Sequence, residues 1–245
     1  MLVLCWGHQE LEAAAVSVVE QAEKKDFIED GRTGSLAIAA FGRMFAAAPK
    51  KGTEAALSVS PAVTTHGVTI ATDYFSTVDD IRERNRDTGA TYLGVAQYTT
   101  GVFYRTVTID KEQLRESWTG LDREDAKENL AALVNAIIYG LPRGKQRSTA
   151  PFVQPALILA EEQSYRCAYD FESPVQADAR EGGYLKPTME ELKRQYDSAR
   201  AFDADNFGET QVVSGTYPEV SEFFAGAKYA DKNGFIDEVV AWIQR

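Results

Sequence analysis

The sequence predicts an α+β fold: a mainly antiparallel sheet with helices on one face. Three observations point to it. Residues 90–110, ATYLGVAQYTTGVFYRTVTID, hold two runs rich in β-branched and aromatic residues around Thr99-Thr100-Gly101. Tyr92, Leu93, Val95 and Tyr98 precede that polar break; Val102, Phe103, Tyr104, Val107 and Ile109 follow it. Such a pattern fits two paired strands or one long bulged strand, and rings of this size call for a cover on at least one face. Residues 122–139 carry an apolar stripe at helical spacing. Along the chain the order is strand, excursion, strand pair, helix, strand.

Taken in order, residues 10–25 read as a helix. Leu11, Ala15, Val18, Val19 and Ala22 recur at helical spacing, and Lys24 and Lys25 suit its C-terminal end. Residues 34–47, GSLAIAAFGRMFAA, read as a strand of small residues, with Gly42 marking a bulge or a close backbone approach. Residues 48–89 show little regular pattern. They contain short β-rich pieces broken by Pro61 and Gly67, then the charge run DDIRERNRD. Their aromatic and β-branched content is too high for disorder, so they form an excursion built as a β-hairpin. In the helix at 122–139, Asp122 is the natural N-cap, and Gly140 and Pro142 stop it. A basic loop, Gly144-Lys145-Gln146-Arg147, leads to PALILA, a buried strand. Residues 188–200 form a helix with Thr188 and Glu191 as a capping box. A last amphipathic helix spans 235–243.

Composition narrows the function classes. The net charge of −11 argues against a simple polyanion binder. Residues 1–150 carry 17 Lys/Arg against 20 Asp/Glu, and residues 151–245 carry 9 against 17, so the acidity is mostly C-terminal. No apolar run approaches the roughly 20 residues that span a membrane, and the first residues lack the basic leader of a signal peptide. Cys5 and Cys167 are the only cysteines. They give no disulfide framework and suit a reducing, cytoplasmic setting. His8 and His66 stand alone, without zinc-ligand spacing. No metal site, cofactor motif or complete catalytic set is visible. His66 with Asp73 is the one acid/base pairing open to a small-molecule enzyme, although a lone His in a β-rich segment usually serves structure.

Three short stretches admit a binding reading. Gly42-Arg43-Met44 combines close backbone approach, a cation and a flexible apolar side chain; by itself it is also simply a strand end. Tyr74-Phe75-Ser76-Thr77-Val78 places two aromatics and a Val in the excursion. They are either a satellite core under a loop or wedges that stack on bases. Lys145, Gln146 and Arg147 offer two cations and an amide, suited to phosphate contacts or to solvent.

As an ordered set, five stretches carry a resemblance: 34–44 (GSLAIAAFGRM), 57–66 (LSVSPAVTTH), 73–80 (DYFSTVDD), 101–105 (GVFYR) and 144–152 (GKQRSTAPF). The chain resembles the CasC/Cse4 family, the backbone subunit of the type I-E CRISPR Cascade surveillance complex, from about residue 34 to about 160. The resemblance implies a non-catalytic, cofactor-free subunit with an RRM-like (ferredoxin-like) palm, a helical fingers region and a protruding thumb hairpin. On that plan 1–245 is a single domain. Residues 1–33 belong to the fingers, 34–44 and 90–200 to the palm, 45–89 to the thumb-containing excursion, and 201–245 to a C-terminal extension with a helix. Copies of such a subunit polymerise along a crRNA, and each thumb displaces one nucleotide and leaves short segments to pair with target DNA. The implied partners are crRNA, target DNA, neighbouring copies, the large and small Cascade subunits and the guide-end caps, with no membrane.

Carried onto this chain, the resemblance makes Tyr74, Phe75, Ser76 and Val78 the thumb residues at the displaced nucleotide. Met44 becomes the palm residue beside the kink, with Arg43 next to it, and Lys145, Gln146 and Arg147 become guide-backbone contacts. Family members carry a first strand and a basic segment ahead of the matching region, and nothing in 1–33 resembles them. The expectation is therefore an N-terminally shortened subunit, the alternative being a fragment that does not assemble.

Overall fold

The computed structural model describes residues 12, 28–77, 92–150, 152–224 and 226–245. In chain order the elements are helix α1 (Leu36–Phe41), strands β1 (Leu57–Val59), β2 (Val63–Thr64), β3 (Ala71–Thr77), β4 (Tyr92–Tyr98), β5 (Phe103–Tyr104) and β6 (Val107–Ile109), then helices α2 (Lys111–Ser117), α3 (Ala126–Tyr139) and α4 (Gln146–Thr149). Strand β7 (Ile158–Gln163), helix α5 (Leu185–Phe202), strand β8 (Phe207–Ser214), helix α6 (Val220–Phe223), strand β9 (Lys228–Tyr229) and helix α7 (Lys232–Gln244) follow. The fold is α+β. The helix expected at 10–25 lies outside the described residues, Glu12 excepted. No helix among the described residues is long and apolar enough to cross a membrane.

The chain forms two compact units. The first comprises Met1–Ser60, Thr106–Cys167 and Ala199–Arg245; the second comprises Pro61–Arg105 and Ala168–Ser198. Among the described residues, strands are distributed over small sheets rather than one continuous sheet. The three-stranded sheet β7-β8-β9 has an antiparallel and a parallel pair, while β1-β6, β2-β5 and β3-β4 are antiparallel pairs. Of the two readings of residues 90–110, strands paired with each other are not formed among the described residues; the run is a long strand interrupted at 99–102 and 105–106. Each of its three strands pairs instead with a strand of 57–77, the segment whose regular pattern was hard to see. Val59 faces Val107 and Val63 faces Tyr104, so the first segment carries one extra residue between those pairs. Thr64 faces Phe103 and Ala71 faces Tyr98, so it carries two more before β3 begins. These slips break the alternation that marks a strand in sequence.

The strand expected at 34–47 is a helix over its first part. Leu36, Ala39 and Ala40 fall at helical spacing, and Ala has the highest helix propensity, so LAIAAF winds and buries Ile38, Ala39 and Ala40. It ends at Gly42, whose φ of 79° an L side chain rarely adopts; an added Cβ would meet the Thr53 carbonyl oxygen at 3.1 Å. Helix α3 begins at Ala126, after Asp125 rather than Asp122. Helix α5 begins three residues before Thr188, so no capping box forms there. Inside the helix the Thr188 hydroxyl instead meets that of Thr65, at 2.7 Å. Helix α7 starts where Asp231 accepts the Gly234 N–H at 2.8 Å.

The first unit has the larger core. Leu130 and Val134 of α3 pack with Phe235, Ile236, Val240 and Ile243 of α7, and with Leu114, Trp118 and Val212. Burying an apolar side chain of this size contributes about 1.5–3 kcal/mol. Beside this core the Glu161 carboxylate takes the Arg200 guanidinium at 2.6 Å, and that guanidinium lies 4.2 Å over the Phe207 ring. The second unit buries Thr65, His66, Ala96, Tyr169, Met189, Leu192 and Tyr196.

Candidate nucleic-acid interface

The β3/β4 ladder positions the aromatic stretch. Directly opposed residues of an antiparallel pair share a face, and successive residues alternate faces. Tyr74 faces Val95 and Ser76 faces Leu93, so these four share one side; Phe75 faces Gly94 and Asp73 faces Ala96 on the other. Tyr74, Leu93 and Val95 are 69%, 67% and 56% exposed, an apolar surface left open by the described residues. Phe75 lies across Gly94, which is buried beneath its ring: a Cβ at Gly94 would sit 2.6 Å from Cε2 and 2.7 Å from Cε1. A glycine covered by a cross-strand aromatic restores packing that the glycine lacks. Tyr74 and Phe75, adjacent in sequence, therefore address opposite sides. Val78 lies outside the described residues. The sequence pointed to residues of β3 only. Leu93 and Val95 complete the Tyr74 surface from β4, while Tyr98, opposite Ala71, falls on the Phe75 face; the apolar alternation in YLGVAQY was the signal for them. The cover expected over the rings of 90–110 is present at Tyr104, which packs on Phe171 at 5.3 Å and accepts the Tyr169 N–H on its hydroxyl at 3.0 Å, whereas Phe103 is exposed.

Arg43 and Met44 belong to the first unit and diverge. Gly42 turns the chain so that Arg43 pairs with Thr53 through both backbone bonds, at 2.8 Å each. The Arg43 side chain is buried, with Nη2 donating to the Lys51 carbonyl at 3.4 Å, whereas Met44 is 79% exposed. Both line a concavity of about 1020 Å³ with Phe41, Asp30, Glu54 and Glu116. Its charge is mixed, and Met44, Phe41, Phe45 and Pro49 are among its apolar lining. Lys145 and Arg147 are exposed in the same unit. The Lys145 backbone is left-handed, φ 53°, and its carbonyl accepts the N–H groups of Ser148 and Thr149 at 3.0 Å each. The expected basic loop thus closes into the short helix α4, which begins at Gln146.

His66 is spoken for in the second unit. Its Nδ1–H donates to the Gly67 carbonyl at 2.7 Å, its Nε2 accepts the Val102 N–H at 3.1 Å, and its ring stacks on Tyr184 at 3.7 Å. With both nitrogens engaged it holds no lone pair ready to take a substrate proton. Asp73 stands in β3 opposite Ala96.

No curated protein matches the sequence. Among solved structures, a chain of a "CRISPR RNA-guided surveillance complex, pre-nicking" superposes with a TM-score of 0.72 and 26% identity, over 86% of this chain. This chain spans 56% of the length of that one. A chain of a "CRISPR RNA-guided surveillance complex" has the same fold, with a TM-score of 0.71 and 23% identity, over 98% of this chain and 86% of the other. The sequence matches the family described as CT1975-like protein over residues 4–242. Because that match runs nearly end to end, the chain belongs to the CT1975-like protein family.

Proposed function

We propose that this protein is a crRNA-binding structural subunit of a CRISPR Cascade surveillance complex, of the type I-E backbone kind. It polymerises along the guide and presents it for pairing with target DNA. The observation that carries this reading is the similarity, at 26% identity over 86% of the chain, to a subunit of an RNA-guided surveillance complex. The ordered motifs from 34 to 152 and the open apolar surface of β3/β4 support it. In this reading the small sheets belong to an RRM-like palm, β3/β4 is the thumb, and the protein works in the cytoplasm with neighbouring copies and the other Cascade subunits. The role is structural: the protein holds the backbone electrostatically and base pairing reads the sequence.

Division of labour follows from the faces. Tyr74 and Ser76, with Leu93 and Val95, offer one side of the ribbon to a base or duplex end; Phe75 offers the other. Aromatic faces stack on any base, which suits a subunit that must accept every guide sequence. Met44 supplies an apolar contact at the concavity. Lys145, Gln146 and Arg147 take guide phosphates.

Size-exclusion chromatography of the purified chain with and without a crRNA, at low and moderate salt, tests the proposal. Co-elution as a large, salt-sensitive particle is expected. A folded monomer that ignores the RNA at low salt refutes it. Replacing Phe75 and Val78 with Ala should weaken target-DNA engagement more than guide binding; equal loss of both removes the wedge role.

A further inference from the structure

His66 is a buried imidazole that guide binding does not use. It is 5% exposed, and its surroundings fix its chemical state. A backbone N–H can only donate and a backbone carbonyl can only accept. The Val102 N–H on Nε2 and the Gly67 carbonyl on Nδ1 therefore require the neutral ring with its proton on Nδ1. An imidazolium cannot make this pair of bonds.

The same residue joins chain segments far apart in sequence. The Val175 N–H donates to the Thr65 carbonyl at 3.0 Å, and His66 bridges Val175 in parallel. The Thr65 N–H donates to Val102 at 3.1 Å, the Thr65 and Thr188 hydroxyls meet at 2.7 Å, and Tyr184 lies flat on the imidazole with an interplanar angle of 10°. Gly101 makes the arrangement possible, since a Cβ there would come within 2.6 Å of Nε2. Residues 65–67 and 101–102 lie on the two chain segments between β2/β5 and β3/β4, and Val175, Tyr184 and Thr188 contact Thr65 and His66 there.

We propose that His66, locked by Gly101, Val102 and Tyr184, is a positioning residue that fixes the root of the β3/β4 ribbon and so sets where its aromatic faces are presented to the guide–target duplex. This rests on the guide-binding reading. An isolated two-stranded ribbon is marginally stable in water, so its angle is set at its root. His66 makes no contact with nucleic acid in this role.

Two measurements on the full chain test it. His8 and His66 are the two histidines of the sequence, so ¹⁵N-histidine NMR with a His8→Asn control reads His66 directly. An unprotonated Nε2 and a protonated Nδ1 are expected; the opposite tautomer or a ring averaging between the two overturns the clasp. The second measurement compares guide affinity with the affinity of the guide-loaded particle for complementary DNA. His66→Phe keeps a ring on Tyr184 and loses both bonds, and Gly101→Ala presses on the ring. Each should leave guide affinity within about threefold and weaken target binding about tenfold. His66→Gln, which returns an acceptor near the Nε2 position, should recover most of the loss. A parallel fall in guide and target affinity, or Gln and Phe variants that are equally defective, overturns the positioning role. Failure of the wild-type chain to bind any guide refutes the proposed function instead, and the NMR result still decides the clasp.

Discussion

Gly94→Ala moves the Phe75 ring without removing it. Gly94 lies in regular β4 and its backbone is not left-handed, so alanine is tolerated there. The new Cβ would fall 2.6 Å from Phe75 Cε2. Ordinary carbon contacts lie at 3.5–4.0 Å, so the ring must swing by about 1 Å or more. Phe75 is a half-exposed side chain and can do so cheaply. Losing the cross-strand contact costs about 0.2–1 kcal/mol, and restricting the unfolded chain returns about 0.4–1 kcal/mol. Net stability should change by less than about 1 kcal/mol, a shift in Tm of at most about 4 °C for a chain of this length. Base stacking on an aromatic is worth about 1–3 kcal/mol, so a misplaced ring should weaken target-DNA binding about three- to tenfold. Thermal melts and fluorescence titration of a guide-loaded particle with labelled DNA measure the two quantities. A Tm drop beyond about 8 °C would show that the glycine serves folding. Unchanged DNA affinity beside a defective Phe75→Ala would show that the ring matters but its position over Gly94 does not.

Three further outcomes follow from the first unit. Leu130→Ala, at a fully buried site between α3 and α7, should cost about 2–5 kcal/mol in urea unfolding with an unchanged slope. Glu161→Gln leaves the largely buried Arg200 guanidinium without its 2.6 Å ion pair and should cost about 3 kcal/mol, part of it regained when Arg200→Met is added. The Gln113 N–H, aided by Arg166 at 2.9 Å, holds the Asp110 carboxylate below its ordinary range. The unfolded chain therefore takes up that proton first as pH falls, and the stabilisation is complete above the ordinary Asp value and disappears as pH drops through the lowered one. Asp110→Ala should cost about 1 kcal/mol at neutral pH, and its difference from wild type should shrink in acid. A constant difference down to strongly acidic pH would assign the loss to something other than the charged cap.

Local signals were legible where structure is local. The stripe Leu130, Val134, Ile138 drew α3, Phe235 to Ile243 drew most of α7, and Gly42 marked a close backbone approach that the structure contains at Thr53. The β-branched and aromatic run 90–110 declared strands without declaring their partners. Strand partnership is a long-range choice, and register slips hid the alternation in 57–77. LAIAAF fits a strand or a helix until the burial of Ala39 and Ala40 selects the helix.

The interface divides in the same way. By itself the sequence supplied the chemistry: aromatics at 74 and 75, cations at 43, 145 and 147, and one histidine in a β-rich segment. Tertiary structure decided the rest. Pairing with β4 put Tyr74 beside Leu93 and Val95 and sent Phe75 to the other face. The turn at Gly42 buried Arg43 and left Met44 open. Convergence of residues 66, 102 and 184 made His66 a neutral structural ring. Side-chain type is written residue by residue, but face, burial and protonation state depend on neighbours that only folding brings together.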